Sequence, residues 1–261
     1  MIIRKIQTIV VPILFWALLT KVLMVIFNGE AFTVKSFILQ VLSSLWFLWA
    51  VFYSSIGLII GNKLFKDNIL FHVVVVLGLM LLPNMLSKDL YGFMYPYFAI
   101  GYYANKHKID IKSYNIKIIS ATYIIMMLFW DKNKYIYTTG LSFYNSKNVF
   151  NTIGIDIYRW VIGLLGSIIV IWVVGIIYDR YNSEKLDVIR NIGVESLGIY
   201  ILNIYISNYL LVKINIFESL NEAIYTIICF IMSLIITIVS IQIINIIKKS
   251  KVLNRLSLGG R

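Results

Sequence analysis

The sequence is poor in charged residues, in cysteine and in histidine. Only 14% of its 261 residues are charged, whereas a soluble domain usually has about 25%. One cysteine and two histidines exclude a disulfide framework and the spacing of a structural zinc site, so we expect no metal. The motifs of P-loop nucleotide-binding proteins, GxSxG hydrolases and HExxH metalloproteases do not occur. Acidic residues are almost missing from the apolar runs, which argues against an ion-coupled transporter.

What is abundant is apolar sequence, at 60% of the chain. Most of the apolar runs approach the ~20 residues that a helix needs to cross a bilayer. We therefore expect an all-α fold, a polytopic membrane helix bundle in one domain over residues 1–261. The run at 91–104 is short and predicts a tilted, broken or re-entrant segment. The eight predicted spans are 6–27, 43–61, 69–86, 91–104, 114–130, 158–178, 196–212 and 223–247.

The basic residues predict the orientation of these spans. The formal net charge is +12, and the cations cluster at span ends, where anionic headgroups and topology explain them better than nucleic acid does. A cytoplasmic N-terminus places about twice as many Lys and Arg inside as outside, in agreement with the positive-inside rule. We expect both termini in the cytoplasm and membrane lipid around the spans. The residue usage is typical of a low-GC bacterium, which predicts the bacterial cytoplasmic membrane.

The longest loop, 131–157, is expected on the outer side. It is polar and aromatic, and loops longer than about 15 residues are often binding loops or lids. A flexible surface loop is an equal alternative.

Polar and aromatic residues follow helical spacing in three spans. In a bilayer such faces contact other helices or line a cavity. The functional interpretation is an aromatic-lined cavity for a sugar or a lipid-linked glycan, and the alternative is hydrogen bonding between helices. We favour helix packing for the last span and leave both open for Tyr200 and Asn203. The three stripes are Ser196, Tyr200, Asn203 and Ser207; Thr226, Ser233, Thr237 and Ser240; and Tyr91, Tyr95, Phe98 and Tyr102.

His72 is the one candidate proton carrier within a span. No partner for it is evident nearby in the sequence. His107 lies in a lysine-rich loop, where a solvated role is expected. Gly57 and Gly61 form a GxxxG motif, which predicts close helix packing.

Four segments together resemble the acyltransferase-3 family of bacterial membrane acyltransferases. They are a basic element that leads into an apolar helix, a WFL signature, a P-x-F-x-x-G pattern and a G-x-x-S-x-x-I-Y-x-x-H-like element. The matching residues are Arg4, Pro12 and Trp16; Leu45, Trp46, Phe47 and Leu48; Pro96, Phe98 and Gly101; and Gly193, Ser196, Leu197 and Tyr200.

The resemblance implies transfer of an acyl group, commonly acetyl, to a sugar hydroxyl of a surface polysaccharide or its lipid-linked precursor. It implies acyl-coenzyme A (acetyl-CoA) as the donor, on the cytoplasmic side. In this family an early helix supplies a histidine base, and arginines after it orient the donor. This chain begins at the basic element, so we expect the helices before it, with that histidine, to be absent. Asn203 stands where many members have histidine.

From these considerations we predict two catalytic residues, Arg4 and His72. We predict substrate contacts at four further positions, Trp46, Tyr95, Tyr200 and Asn203. Activity is uncertain because of the absent histidine.

Two other functions stay open at this point. The first is a non-catalytic protein of glycan export or assembly. The second is a glycan polymerase whose outer loop presents Lys132, Lys134 and Arg159.

Overall fold

A computed structural model describes residues 2–29, 31–66, 68–81, 88–135, 149–180, 183–207 and 221–260. These residues form α-helices joined by short turns, with a π-helical turn at Ile6–Val10 and a 3₁₀ turn at Ile111–Ser113. The helices are α1 (Ile2–Lys5), α2 (Val11–Asn28), α3 (Val34–Ser43), α4 (Trp46–Phe65), α5 (Ile69–Leu81), α6 (Lys88–Lys106), α7 (Ile116–Leu128), α8 (Lys132–Tyr135), α9 (Val149–Arg180), α10 (Ser183–Val194), α11 (Ser196–Ile206), α12 (Glu222–Lys248) and α13 (Lys251–Ser257).

The all-α membrane bundle predicted from the sequence is confirmed. Each predicted span contains a helix, and among the described residues four helices are long and apolar enough to cross a membrane. These four are Ile2–Phe27, Trp46–Phe65, Phe150–Arg180 and Ile224–Lys248. Shorter apolar helices occupy three more spans. The short span at 91–104 lies in the unbroken helix α6, which accommodates Pro96 in its interior.

The predicted outer loop is wrong at its C-terminal end. Helix α9 begins at Val149, so the last part of the loop expected at 131–157 is helical. Polar residues such as Asp156 lower the hydropathy there, yet the Asp156 side chain is fully buried. Residues 136–148 of the loop, with three of its aromatic residues, lie outside the described part of the chain.

The chain packs as two compact units, which are described separately. Unit 1 comprises Met1–Leu45 and Ser183–Arg261, and unit 2 comprises Trp46–Asn182. The expectation of one domain stays a prediction, because two packing units can belong to one domain.

Unit 1 brings the two ends of the described chain together. Helix α13 packs on α2, where the Trp16 indole donates a hydrogen bond to the Ser257 carbonyl at 3.0 Å. The Trp16 ring also stacks on Tyr205, with centroids 4.8 Å apart. The segment after α12 thus packs against the first long helix. The number of crossings and the cytoplasmic side of both termini stay predictions.

Unit 2 is organised around α6, which packs on α4, α5 and α9. One face of α6 is held to α9 by Phe93 and Trp160, whose rings stack at 5.7 Å. The Trp160 indole donates to the Phe93 carbonyl at 2.8 Å. The other face of α6 meets α4 and α5, and this face positions the first candidate site.

Candidate functional site

His72 and Tyr95 form a buried polar pair in unit 2. Helix α5 supplies the imidazole and α6 supplies the phenol, and His72 Nδ1 lies 2.6 Å from the Tyr95 hydroxyl. Only 5% of His72 and 3% of Tyr95 are exposed. A histidine held by a hydrogen bond at one ring nitrogen has a defined orientation, which a general base requires. The structure therefore gives His72 the partner that its sequence neighbourhood lacks, in a residue predicted only as a substrate contact.

The GxxxG motif of α4 makes room for this pair. Gly57 and Gly61 are four residues apart and lie on one face of the helix. A Cβ atom on Gly57 would lie 2.8 Å from the Tyr95 ring, and one on Gly61 would lie 2.9 Å from the His72 ring. Such distances are too short for real contacts. The motif acts in helix packing, as predicted, and the side chains that it admits are His72 and Tyr95.

The pair lines a groove of about 270 Å³. Tyr103 completes its polar edge, with a ring that meets the His72 ring edge-on at 5.5 Å. The remaining lining is mostly apolar and comes from α5, α6 and α9; it comprises Ile69, Val73, Val76, Leu77, Pro96, Ala99, Ile100 and Trp160. A mostly apolar groove with few polar groups is the usual form of a small-molecule site.

The aromatic stripe of α6 is mainly a helix interface. Tyr91 packs against Tyr53 of α4 at 5.5 Å, and Tyr102 accepts a 2.7 Å hydrogen bond from the Asn62 amide of the same helix. Of the four stripe residues, only Tyr95 lines the groove. Tyr95 thus agrees with the cavity interpretation of the stripe, whereas Tyr91 and Tyr102 agree with the packing interpretation.

A second site, the cationic cavity, lies within unit 1 and encloses about 890 Å³. Arg4 and Lys5 border it from α1, and Lys251 and Arg255 from α13. None of the described residues that line it is acidic. The other lining residues are Gln7, Thr8, Asn254, Gly259 and Gly260. An arrangement of this kind attracts anions.

The matching family model, described as an acyltransferase domain, covers residues 1–242. The chain belongs to the acyltransferase-3 family. No curated protein and no solved structure shows a significant match to it. The resemblance noted from four short segments is thereby confirmed over most of the chain. Together with the helical fold, it identifies a multi-pass membrane protein with an acyltransferase domain.

The residues predicted as catalytic in this acyltransferase belong to different units. Arg4 lines the cationic cavity of unit 1, and His72 lines the groove of unit 2. Their roles stay predictions.

The other predicted substrate contacts line neither cavity. Tyr200 is half-buried on α11, and the exposed Asn203 accepts a hydrogen bond from the Ser207 hydroxyl at 2.9 Å. Trp46 is half-buried at the start of α4 and meets Phe47 edge-on. On α12, Ser233 and Thr237 donate to carbonyls of their own helix, which favours a structural role for that stripe.

Sequence reasoning missed two features of this acyltransferase. The sequence analysis did not single out Lys251 and Arg255, although their spacing of four places them on one face of a helix. The second feature is an ion pair in α9, where Arg159 lies 3.6 Å from the fully buried Asp156. The Arg159 guanidinium also covers the Phe93 ring at 4.4 Å. These contacts give Arg159 a structural role and do not favour a glycan polymerase.

The described residues contain no group of three or more His, Cys, Asp or Glu side chains that could hold a metal ion.

Proposed function

We propose that the protein transfers an acyl group, commonly acetyl, from acyl-coenzyme A to a hydroxyl of a surface polysaccharide or its lipid-linked precursor. Family membership supports acyl transfer as the type of reaction. The donor, the acceptor and the roles below are our proposal.

The cationic cavity carries the proposal. Coenzyme A bears a 3′-phosphate and a diphosphate, and the four basic side chains at this cavity would balance those charges. The volume of about 890 Å³ lies within the usual range for ligand pockets, about 300–1,000 Å³. Arg4, for which the family resemblance implies a donor-orienting role, is one of the four. A donor of this kind is cytoplasmic, which agrees with the predicted cytoplasmic side of both termini.

His72 is the candidate general base. The acceptor O–H would lose its proton to the imidazole as its oxygen bonds to the thioester carbonyl carbon. The tetrahedral intermediate then breaks its C–S bond, and the coenzyme thiolate takes the proton from the imidazolium. The products are an ester and free coenzyme A. With the proton on Nδ1, His72 donates to the Tyr95 oxygen and keeps Nε2 as the proton acceptor. The apolar lining of the groove would limit hydrolysis of the thioester.

The test is transfer of radiolabelled acetyl from acetyl-CoA to glycans by membranes that contain the protein. We expect label in the glycan fraction, and loss of label with His72→Gln but not with the loop variant His107→Gln. An active member of the family assayed in parallel shows that the assay works.

Absence of label with an active relative would contradict the proposal. Deletion in the source cell provides a second readout: loss of acetyl groups from exported polysaccharide is expected. Polysaccharide that stays inside the cell with unchanged acetyl content would instead indicate a role in export. Reporter fusions that place residues 105–113 on the external side would put the donor on the wrong face.

A further inference from the structure

We propose that helix α13 completes an organic-phosphate site, in which Lys251 and Arg255 bind phosphoryl groups of the same ligand that Arg4 and Lys5 contact. The inference deepens the proposed function, since it rests on that function for coenzyme A as the ligand. Helix α13 lies beyond residues 1–242 that match the family model. The family match therefore assigns no role to Lys251 or Arg255.

The charges at the cavity carry the first step. Four cations around one cavity, with no acid among its described lining residues, repel one another. Some basic residues elsewhere in the chain do have acidic partners: Lys248 pairs with Glu195, and Lys112 pairs with Asp179. An anionic ligand would supply the missing counter-charge at the cavity. Phosphate is suited to it because Arg and Lys donate charge-assisted hydrogen bonds to its oxygens.

The second argument is that packed core residues of unit 1 hold α13 in place as one wall of the cavity. The Trp16–Ser257 hydrogen bond is buried, and Leu258 is only 3% exposed. The chain then turns at Gly259, with φ of 72°, against the backbone of Thr8. A Cβ atom at Gly259 would lie 2.6 Å from the Thr8 carbonyl oxygen. The packing thus holds α13 beside the N-terminal segment, where its exposed Lys251 and Arg255 line the same cavity as Arg4 and Lys5.

Two local features of the lining add to this. The Asn254 side-chain oxygen is buried and accepts no hydrogen bond from the part of the chain that the structure describes. The two ends of an amide are interchangeable by rotation, so its NH₂ group can face a phosphate instead. Thr8 lies in the π-helical turn Ile6–Val10, a rare conformation that is frequent at functional sites.

The phosphate could belong to a soluble compound or to a lipid headgroup, and the experiment separates the two. The full-length protein is placed in nanodiscs of neutral phosphatidylcholine. Binding of coenzyme A, dephospho-coenzyme A, pantetheine and inorganic pyrophosphate is measured by calorimetry. We expect affinity to fall in the order coenzyme A, dephospho-coenzyme A, pantetheine, as phosphoryl groups are removed.

The test variant is Lys251→Gln with Arg255→Gln. Its matched control is Lys249→Gln with Arg190→Gln, which removes the same charges from exposed residues that do not line the cavity. We expect the test variant to bind coenzyme A about 100-fold more weakly, at about tenfold for each charge-assisted contact. The control should bind within about twofold of the wild type. In the transfer assay KM should rise and kcat should stay the same.

Equal binding of coenzyme A by the test and control variants would overturn the proposal. So would displacement of coenzyme A by phosphatidylglycerol nanodiscs with a loss of lipid binding in the test variant, which would indicate a headgroup site. If pyrophosphate binds in a Lys251- and Arg255-dependent way but coenzyme A does not, the phosphate site stands and the donor assignment fails. If coenzyme A binds but no acyl group is transferred, the inference stands and the proposed reaction fails.

Discussion

The two units of this acyltransferase are both helical but differ in the polar side chains that their helices bring together. Unit 1 assembles cations around a cavity of about 890 Å³, whereas unit 2 encloses one His–Tyr pair in a mostly apolar groove of about 270 Å³. The first site joins the ends of the described chain, since Trp16 and Ser257 are 241 residues apart. The second joins residues 23 apart. Cations from distant segments can surround one cavity without close packing of their side chains. A buried hydrogen-bonded pair, by contrast, requires closely packed helices.

The largest effect is expected from His72→Gln in unit 2. If the groove holds the general base, kcat should fall by about 100- to 10,000-fold, with unchanged binding of coenzyme A. Steady-state transfer kinetics and calorimetry measure the two quantities. The control is His107→Gln, which removes the other histidine from an exposed loop position. Equal rates for both variants would show that His72 of unit 2 is not the general base.

Gly57→Ala tests how tightly unit 2 is packed. The added methyl group would meet the Tyr95 ring at 2.8 Å, so we expect the free energy of unfolding to fall by about 1–3 kcal/mol. Gly78→Ala is the control, because nothing lies within 4 Å of its added Cβ atom. Thermal unfolding in detergent measures both variants. A Gly57→Ala protein as stable as the control would show that α4 and Tyr95 are loosely packed.

Gly259→Ala makes the corresponding test in unit 1. The substitution pushes α13 away from Thr8, so affinity for coenzyme A should fall by about tenfold. Gly29→Ala is matched to it, since Gly29 has a similar φ of 68°, nothing within 4 Å of its added Cβ atom, and no place in the cavity lining. Both carry the same backbone strain, and only the first meets a neighbour. Calorimetric affinities that are equal for the two would mean that the position of α13 does not matter.

The smallest effect is expected from Tyr95→Phe. The ring still fills its place beside Gly57, but His72 loses a hydrogen bond worth about 1 kcal/mol, so kcat should fall about fivefold with little change in KM. A titration of kcat against acceptor concentration separates the two. A loss as large as that of His72→Gln would instead make Tyr95 a direct participant.

The sequence allowed parts of each site to be predicted. His72 was singled out because ionisable residues within spans are rare, but its pairing with Tyr95, which was predicted only as a substrate contact, was missed. Tyr95 comes from another helix, and which face of α6 meets α5 depends on the room that Gly57 and Gly61 leave. Arg4 came from a family motif. Lys251 and Arg255 carried no motif, and their place at the cavity depends on the return of the chain at Gly259.

The helix boundaries show the same division. The predicted spans agree with the helices where apolar runs continue. The span predicted to begin at residue 158, however, was placed too late. There α9 extends to Val149 and carries the buried Asp156 close to Arg159. A hydropathy profile treats Asp156 as exposed because it scores each residue without its partner.

By itself the sequence determined that this protein lies in lipid and that its apolar segments are helical. Long apolar runs can satisfy their backbone hydrogen bonds in lipid only as helices or closed barrels, and their length selects helices. The tertiary structure decided which of the scarce polar side chains meet. Contacts between helices depend on local fits such as glycine beside an aromatic ring, and those fits exist only once the helices have packed together.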